Sequence, residues 1–130
     1  MFSHVMIGTN DIEKAKRFYT RALGSLGAGE PMENESASGH KRLFFMHNGS
    51  VLGISEPIND QPATCANGAT LGFACDSLEQ VKAFHDAAVE AGGTSIEDPP
   101  GPREGSMGTL NLAYVLDPDG HKLCAMHRPG

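Results

Sequence analysis

The sequence predicts an α+β protein built from two copies of one βαβββ module, and three observations carry that reading. The chain overlays on itself at an offset of 66 positions, laying His4-Val5-Met6-Ile7 on Thr70-Leu71-Gly72-Phe73 and continuing without a gap to Ala22 and Ala88. Within each copy a short apolar run is followed by apolar residues at helical spacing. Each copy then closes with paired apolar runs separated by turn residues, which is a hairpin signal. Identical pairs at Glu13/Glu79, Lys16/Lys82, Phe18/Phe84 and Ala22/Ala88 mark the repeat, and a repeat of this kind sets the architecture.

Taken in order, the first strand lies in His4-Val5-Met6-Ile7, and Asn10 or Asp11 caps the helix that follows. Ile12, Ala15, Phe18, Tyr19, Ala22 and Leu23 form one apolar stripe, with Glu13 three residues after Asn10 as in a capping box. Gly24 and Gly27 stop that helix. Residues 29–39 are Glu-rich and read as a mobile loop. Residues 42–47 and 50–55 read as strands joined at Asn48-Gly49, since both turn positions tolerate positive φ.

The polar, turn-rich residues 57–67 read as a linker. In the second copy a strand in Thr70-Leu71-Gly72-Phe73 leads to a helix start at Asp76-Ser77, with Glu79 and Gln80 at capping-box distance. Leu78, Val81, Phe84, Ala88 and Val89 form its expected buried face, and Gly92-Gly93 end it. Residues 97–105, rich in proline, read as a stiff surface connection of the kind that can rim a pocket. Residues 109–116 and 121–126 then form strands around the turn Asp117-Pro118-Asp119-Gly120, so that Gly53 and Cys124 correspond. The whole reads as a single domain over residues 1–130, with module one at about 1–56, the linker at about 57–67 and module two at about 68–128.

Composition narrows the function classes. Sixteen Asp and Glu against ten Lys and Arg give a net charge of -6, which leaves no basic stripe for a phosphate backbone and disfavours nucleic acid and anionic membranes as partners. Three cysteines, Cys65, Cys75 and Cys124, show no Cys-x-x-Cys spacing, so neither a disulfide framework nor a structural zinc site is expected and a reducing cytoplasm is the natural setting. The start of the chain lacks a secretory pattern and no long apolar run occurs, so neither secretion nor a membrane span is expected.

The opening "HVMIGTNDIEKAKRFYTRALG", the stretch "GATLGFACDSLEQVKAFHDAAVEAGG" and the ending "YVLDPDGHKLCAMH" resemble the vicinal oxygen chelate superfamily. That superfamily includes glyoxalase I, extradiol dioxygenases and bleomycin-resistance proteins. The resemblance implies two modules whose sheets curve around a central cavity, a divalent metal such as zinc, nickel, iron or manganese in that cavity, and a homodimer. In the glyoxalase I pattern the metal ligands come from the first and last strands of each module. His4 stands at the first of those places, Gly53 at the second, Thr70 at the third, and Cys124 where the pattern has glutamate.

Only His4 keeps a usual ligand type. Catalytic metals of this class need about three or more protein donors and an open position. Glycine offers no side chain, threonine a neutral hydroxyl, and cysteine ligates only as thiolate. Glu56, just beyond its strand, would supply a carboxylate if the register shifts. His4 is otherwise an acid, a base or a structural residue. Arg42 and Arg103 would suit a carboxylate or phosphate on a ligand, Tyr114 would place a hydroxyl in an apolar wall, and Phe45 would line the cavity or fill the core.

Three functions follow. In the first, a protein with a degraded metal site binds a small organic molecule in the cavity. In the second, a metal-dependent lyase or dioxygenase resembling lactoylglutathione lyase uses His4. In the third, a non-catalytic structural or interaction domain has its cavity filled by core side chains.

Overall fold

A computed structural model describes residues 1–130. The chain runs β1 (Val5–Gly8), α1 (Ile12–Gly24), β2 (Met32–Glu35), β3 (Lys41–His47), β4 (Ser50–Ser55), β5 (Leu71–Ala74), α2 (Leu78–Glu90), β6 (Thr94–Gly105), β7 (Gly108–Leu116) and β8 (Lys122–His127). These elements form two open, four-stranded sheets with orders β1-β4-β3-β2 and β5-β8-β7-β6. The two βαβββ modules expected from the repeat are therefore present, each with its first strand at a sheet edge and paired in parallel with its last.

Local chemistry explains the helices. Asp11 caps α1 by accepting the Lys14 backbone N–H at 3.1 Å, and the stripe from Ile12 to Leu23 is buried in full. Ser77 caps α2 by accepting from the Gln80 N–H at 3.1 Å, while Gln80 Oε1 accepts the Asp76 N–H at 2.6 Å. The buried face of α2 is narrower than expected. Val81, Phe84 and Ala88 are buried, whereas Val89 is exposed and Leu78 is half-buried.

Asn48 and Gly49 adopt φ values of 50° and 84°, which turns β3 into β4 as the Asn-Gly pair predicted. Two stretches read as loops are instead strands. Residues 32–35 pair antiparallel with β3, and residues 94–105 pair with β7 across a register shift between Ile96 and Gly101. Both are edge strands. The first is exposed at every position and so lacks the alternation that marks a half-buried strand. The second carries Pro99, Pro100 and Pro102, which an edge strand tolerates because one side of its ladder is unpaired.

Side-chain alternation gives each sheet a helix-facing side and an outer side. Leu43, Phe45, Leu52 and Ile54 face α1, while Arg42, Phe44, Met46 and Gly53 fall on the outer side. In module two, Ala113, Val115, Leu123 and Ala125 face α2, with Tyr114 and Cys124 directly paired on the outer side.

One core joins the modules: Phe18 and Tyr19 of α1 share it with Val81 and Phe84 of α2. A polar clamp adds to that join. Asp119 accepts from Thr9 Oγ1 at 2.6 Å and from the Asn10 N–H at 2.9 Å. The buried Asp117 accepts from the Tyr19 hydroxyl at 2.5 Å, and His121 Nε2 lies 2.7 Å from the Gly8 carbonyl. Gly93 completes the contact, because a Cβ there would lie 2.8 Å from Phe18 Cε1 and 2.9 Å from the Ala88 carbonyl oxygen.

Candidate functional site

The two sheets share no strand pairing, and the gap between their edge strands β1 and β5 opens into a cavity of about 420 Å³. Such a volume lies within the range of small-molecule sites. Module one contributes His4 just before β1, Val5 of β1, Leu23 and Leu26 at the end of α1, and Phe45, His47 and Leu52 of the β3–β4 hairpin. Module two contributes Leu71 and Phe73 of β5 and, at the start of α2, Asp76 and Gln80. The walls are mainly aliphatic and aromatic. Polar atoms collect at the rim, where Ser3 Oγ bonds His4 Nδ1 at 2.7 Å and Asn48 Nδ2 lies 3.1 Å from His47 Nε2.

Of the residues singled out from the sequence, His4 and Phe45 line this cavity. Phe45 does so from within the core, its ring 6.4 Å from that of Tyr19. Arg42 and Gly53 lie on the outer side of the first sheet, where the Arg42 guanidinium stands 5.5 Å from the Phe44 ring centre and Arg42 Nε donates to Asn34 Oδ1 at 2.9 Å. Thr70 is exposed just before β5. Arg103 donates to the carbonyls of Asp98, Pro99 and Gly101, which folds its guanidinium onto its own strand.

Glu56 is occupied by the backbone, its Oε1 accepting the Lys41 N–H at 2.6 Å. Nothing about its position in the sequence distinguished that use from metal binding. Asp76, Gln80, His47 and Phe73 were not singled out as site residues. Asp76 and Gln80 were legible as a helix start, and only the docking of α2 against α1 brings them to the cavity.

Cys124 and Tyr114 form a separate group on the outer side of the second sheet. Burial raises the Cys124 thiol above the ordinary cysteine value, against the opposing pull of the Tyr114 hydroxyl and Lys122. Burial also raises Tyr114. The Lys122 ammonium lies 4.7 Å from the Tyr114 ring centre and pairs with Glu97. A thiol held protonated is a poor metal ligand and a poor nucleophile.

The donor chemistry does not fit the divalent metal that the resemblance implies. No three His, Cys, Asp or Glu side chains converge anywhere in the chain. At the second ligand place a Cβ on Gly53 would overlap the Met6 thioether, whose sulfur fills the space a residue-53 carboxylate would need. A thioether is a soft, neutral donor and no substitute for carboxylate toward zinc, nickel, iron(II) or manganese.

A family model for the Glyoxalase/Bleomycin resistance protein/Dioxygenase superfamily matches residues 1–125. A probable lactoylglutathione lyase of Vibrio cholerae is 28% identical over 125 residues, covering 92% of this chain and 85% of that protein. The crystal structure of a glyoxalase/bleomycin resistance protein from Albidiferax ferrireducens T118 superposes with a TM-score of 0.91 at 53% identity, covering 98% of this chain and 99% of that one. A glyoxalase-related enzyme from Fulvimarina pelagi shares the fold at a TM-score of 0.72 and 23% identity, over 99% of this chain and 89% of the other. No helix is long and apolar enough to cross a membrane.

Proposed function

The chain belongs to the glyoxalase/bleomycin resistance protein/dioxygenase superfamily, and from that premise we propose that it binds a small organic molecule in the cavity between its modules without a resident metal. The observation that carries the proposal is the pairing of an apolar, two-module cavity of about 420 Å³ with a ligand constellation reduced to His4. Apolar walls with a few rim polar groups favour burial of an organic ligand, at roughly 25 cal/mol per Å² of apolar surface removed from water. Residues 1–130 act as one unit in this reading, because both modules build the wall.

The same reading sets the protein in the cytoplasm, consistent with three free cysteines. It pairs the chain as a homodimer, as members of the superfamily often do. The exposed methionines Met6, Met32 and Met46 on the outer side of the first sheet are the apolar surface such pairing would cover.

A second reading is supported by the similarity to a probable lactoylglutathione lyase. In it His4 supplies one metal ligand and the remaining donors come from a partner chain. Metal analysis of chelator-free protein, joined to thermal-shift titration with nickel, zinc, iron(II) and manganese, separates the two. The expected result is less than a tenth of an equivalent of metal per chain and no shift. One equivalent of metal, or a stabilisation that His4→Ala abolishes, would overturn the metal-free proposal and favour the lyase.

A further inference from the structure

We infer that the cavity between the modules selects a small hydrophobic cation, an organic amine or ammonium compound, with Asp76 as its counter-ion. The inference rests on the small-molecule reading above and names the ligand class. Among the side chains lining the cavity there is one carboxylate, that of Asp76, and no lysine or arginine. This carboxylate makes no hydrogen bond or ion pair within the chain, and the four ion pairs of the protein all lie elsewhere. Lys16, Lys122 and the histidines that do pair are committed to Glu33, Glu97, Asp60 and Asp86. Asp76 thus faces the cavity mouth with no internal partner.

Two further features favour a cation over an anion. Anions are drawn to free amides at helix N-termini, yet at the start of α2 the Gln80 N–H is taken by Ser77 Oγ, and the Asp76 N–H just before the cap is taken by Gln80 Oε1. The apolar wall also carries the rings of Phe2, Phe45 and Phe73, whose faces attract cations held within about 6 Å. The net charge of -6 adds a long-range bias of the same sign. A ligand with an aromatic or branched aliphatic body and one ammonium group would bury its body against Leu23, Leu52 and Leu71 and leave its charge at the rim beside Asp76.

Calorimetry with three probes of one skeleton tests this: 4-phenylbutylamine, 4-phenylbutan-1-ol and 4-phenylbutanoate, titrated into the full chain at pH 8 and low salt. The expected order is amine about tenfold tighter than alcohol, with the carboxylate weakest. Asp76→Asn should erase the advantage of the amine over the alcohol while leaving alcohol affinity within about twofold, and Asp76→Lys should reverse the order in favour of the carboxylate. Asp76 is exposed and its carboxylate supports no internal bond, so both variants are expected to melt within a few degrees of the parent. Equal binding of amine and alcohol, or an amine preference that survives Asp76→Asn, would overturn the charge selection and leave the cavity reading standing. Absence of binding by all three probes to millimolar concentration would overturn both together.

Discussion

The Cys75 side chain is buried at the end of β5, and its backbone N–H bonds the Met126 carbonyl at 2.7 Å. Burial pushes its thiol from the ordinary 9.0 up to about 11, with the Met126 backbone opposing the rise and Asp76 adding to it. The unfolded chain therefore loses this proton first. Stability from Cys75 is complete below pH 9 and is lost as pH climbs from 9 through about 11. Tyr19 acts in the same sense at higher pH, because burial and then Asp117 raise its hydroxyl well above 10.0. Urea unfolding between pH 8 and 11 should show stability declining in the parent and declining less steeply in Cys75→Ala, whatever the offset between the two proteins at pH 8. Parallel curves would show that Cys75 does not drive the alkaline loss.

Among the elements, β2 and β6 are the ones missed from the sequence, and their energetics explain why. β2 buries none of its four residues and is held by its ladder to β3, by the Arg42–Asn34 hydrogen bond at 2.9 Å and by the Lys16–Glu33 pair at 2.9 Å. Exposed ion pairs of this kind contribute about 0–1 kcal/mol. Its amides should accordingly open by local fluctuation, well below the free energy of global unfolding. In a native-state hydrogen exchange experiment the amides of β2 are expected to exchange at least tenfold faster than the core amides of β4 and β8. Equal protection of β2 and β4 would mean that the edge is held by something beyond its ladder and these exposed side-chain contacts. The hairpin β3–β4 stands at the other extreme, since its Asn-Gly turn and its apolar runs agree with the burial of Leu43, Phe45, Leu52 and Ile54, and it was legible to within a residue.

For the molecule as a whole, the single core and the clamp at Asp117, Asp119 and His121 join the two modules, and the expected consequence is a single unfolding transition. Asp119 bridges to Thr9 and Asn10 across more than a hundred residues of chain. Removing it leaves the buried Thr9 hydroxyl only the Asp11 carbonyl, at 3.1 Å, as acceptor, at a cost of about 0.5–1.5 kcal/mol. Asp119→Ala should lower stability by that amount and keep a single unfolding transition. Two resolved transitions would show instead that the modules unfold separately and that the clamp, not the shared core, couples them. The same docking sets the width of the cavity, so ligand affinity is expected to fall along with stability in that variant.

By itself the sequence determined the module and its duplication, because helical stripes and Asn-Gly turns are local properties that a repeat doubles in strength. His4 was singled out through the family resemblance and Phe45 as a residue of cavity or core, and both line the cavity. Only the tertiary structure decided that Met6 occupies the space beside Gly53, that Glu56 serves a backbone amide, and that Asp76 meets the cavity. Each depends on which side chains meet in space, the first two through strand pairing inside module one and the third through the packing of the two helices across the junction. Packing between residues distant in the chain sets that choice, and no periodicity along the chain records it.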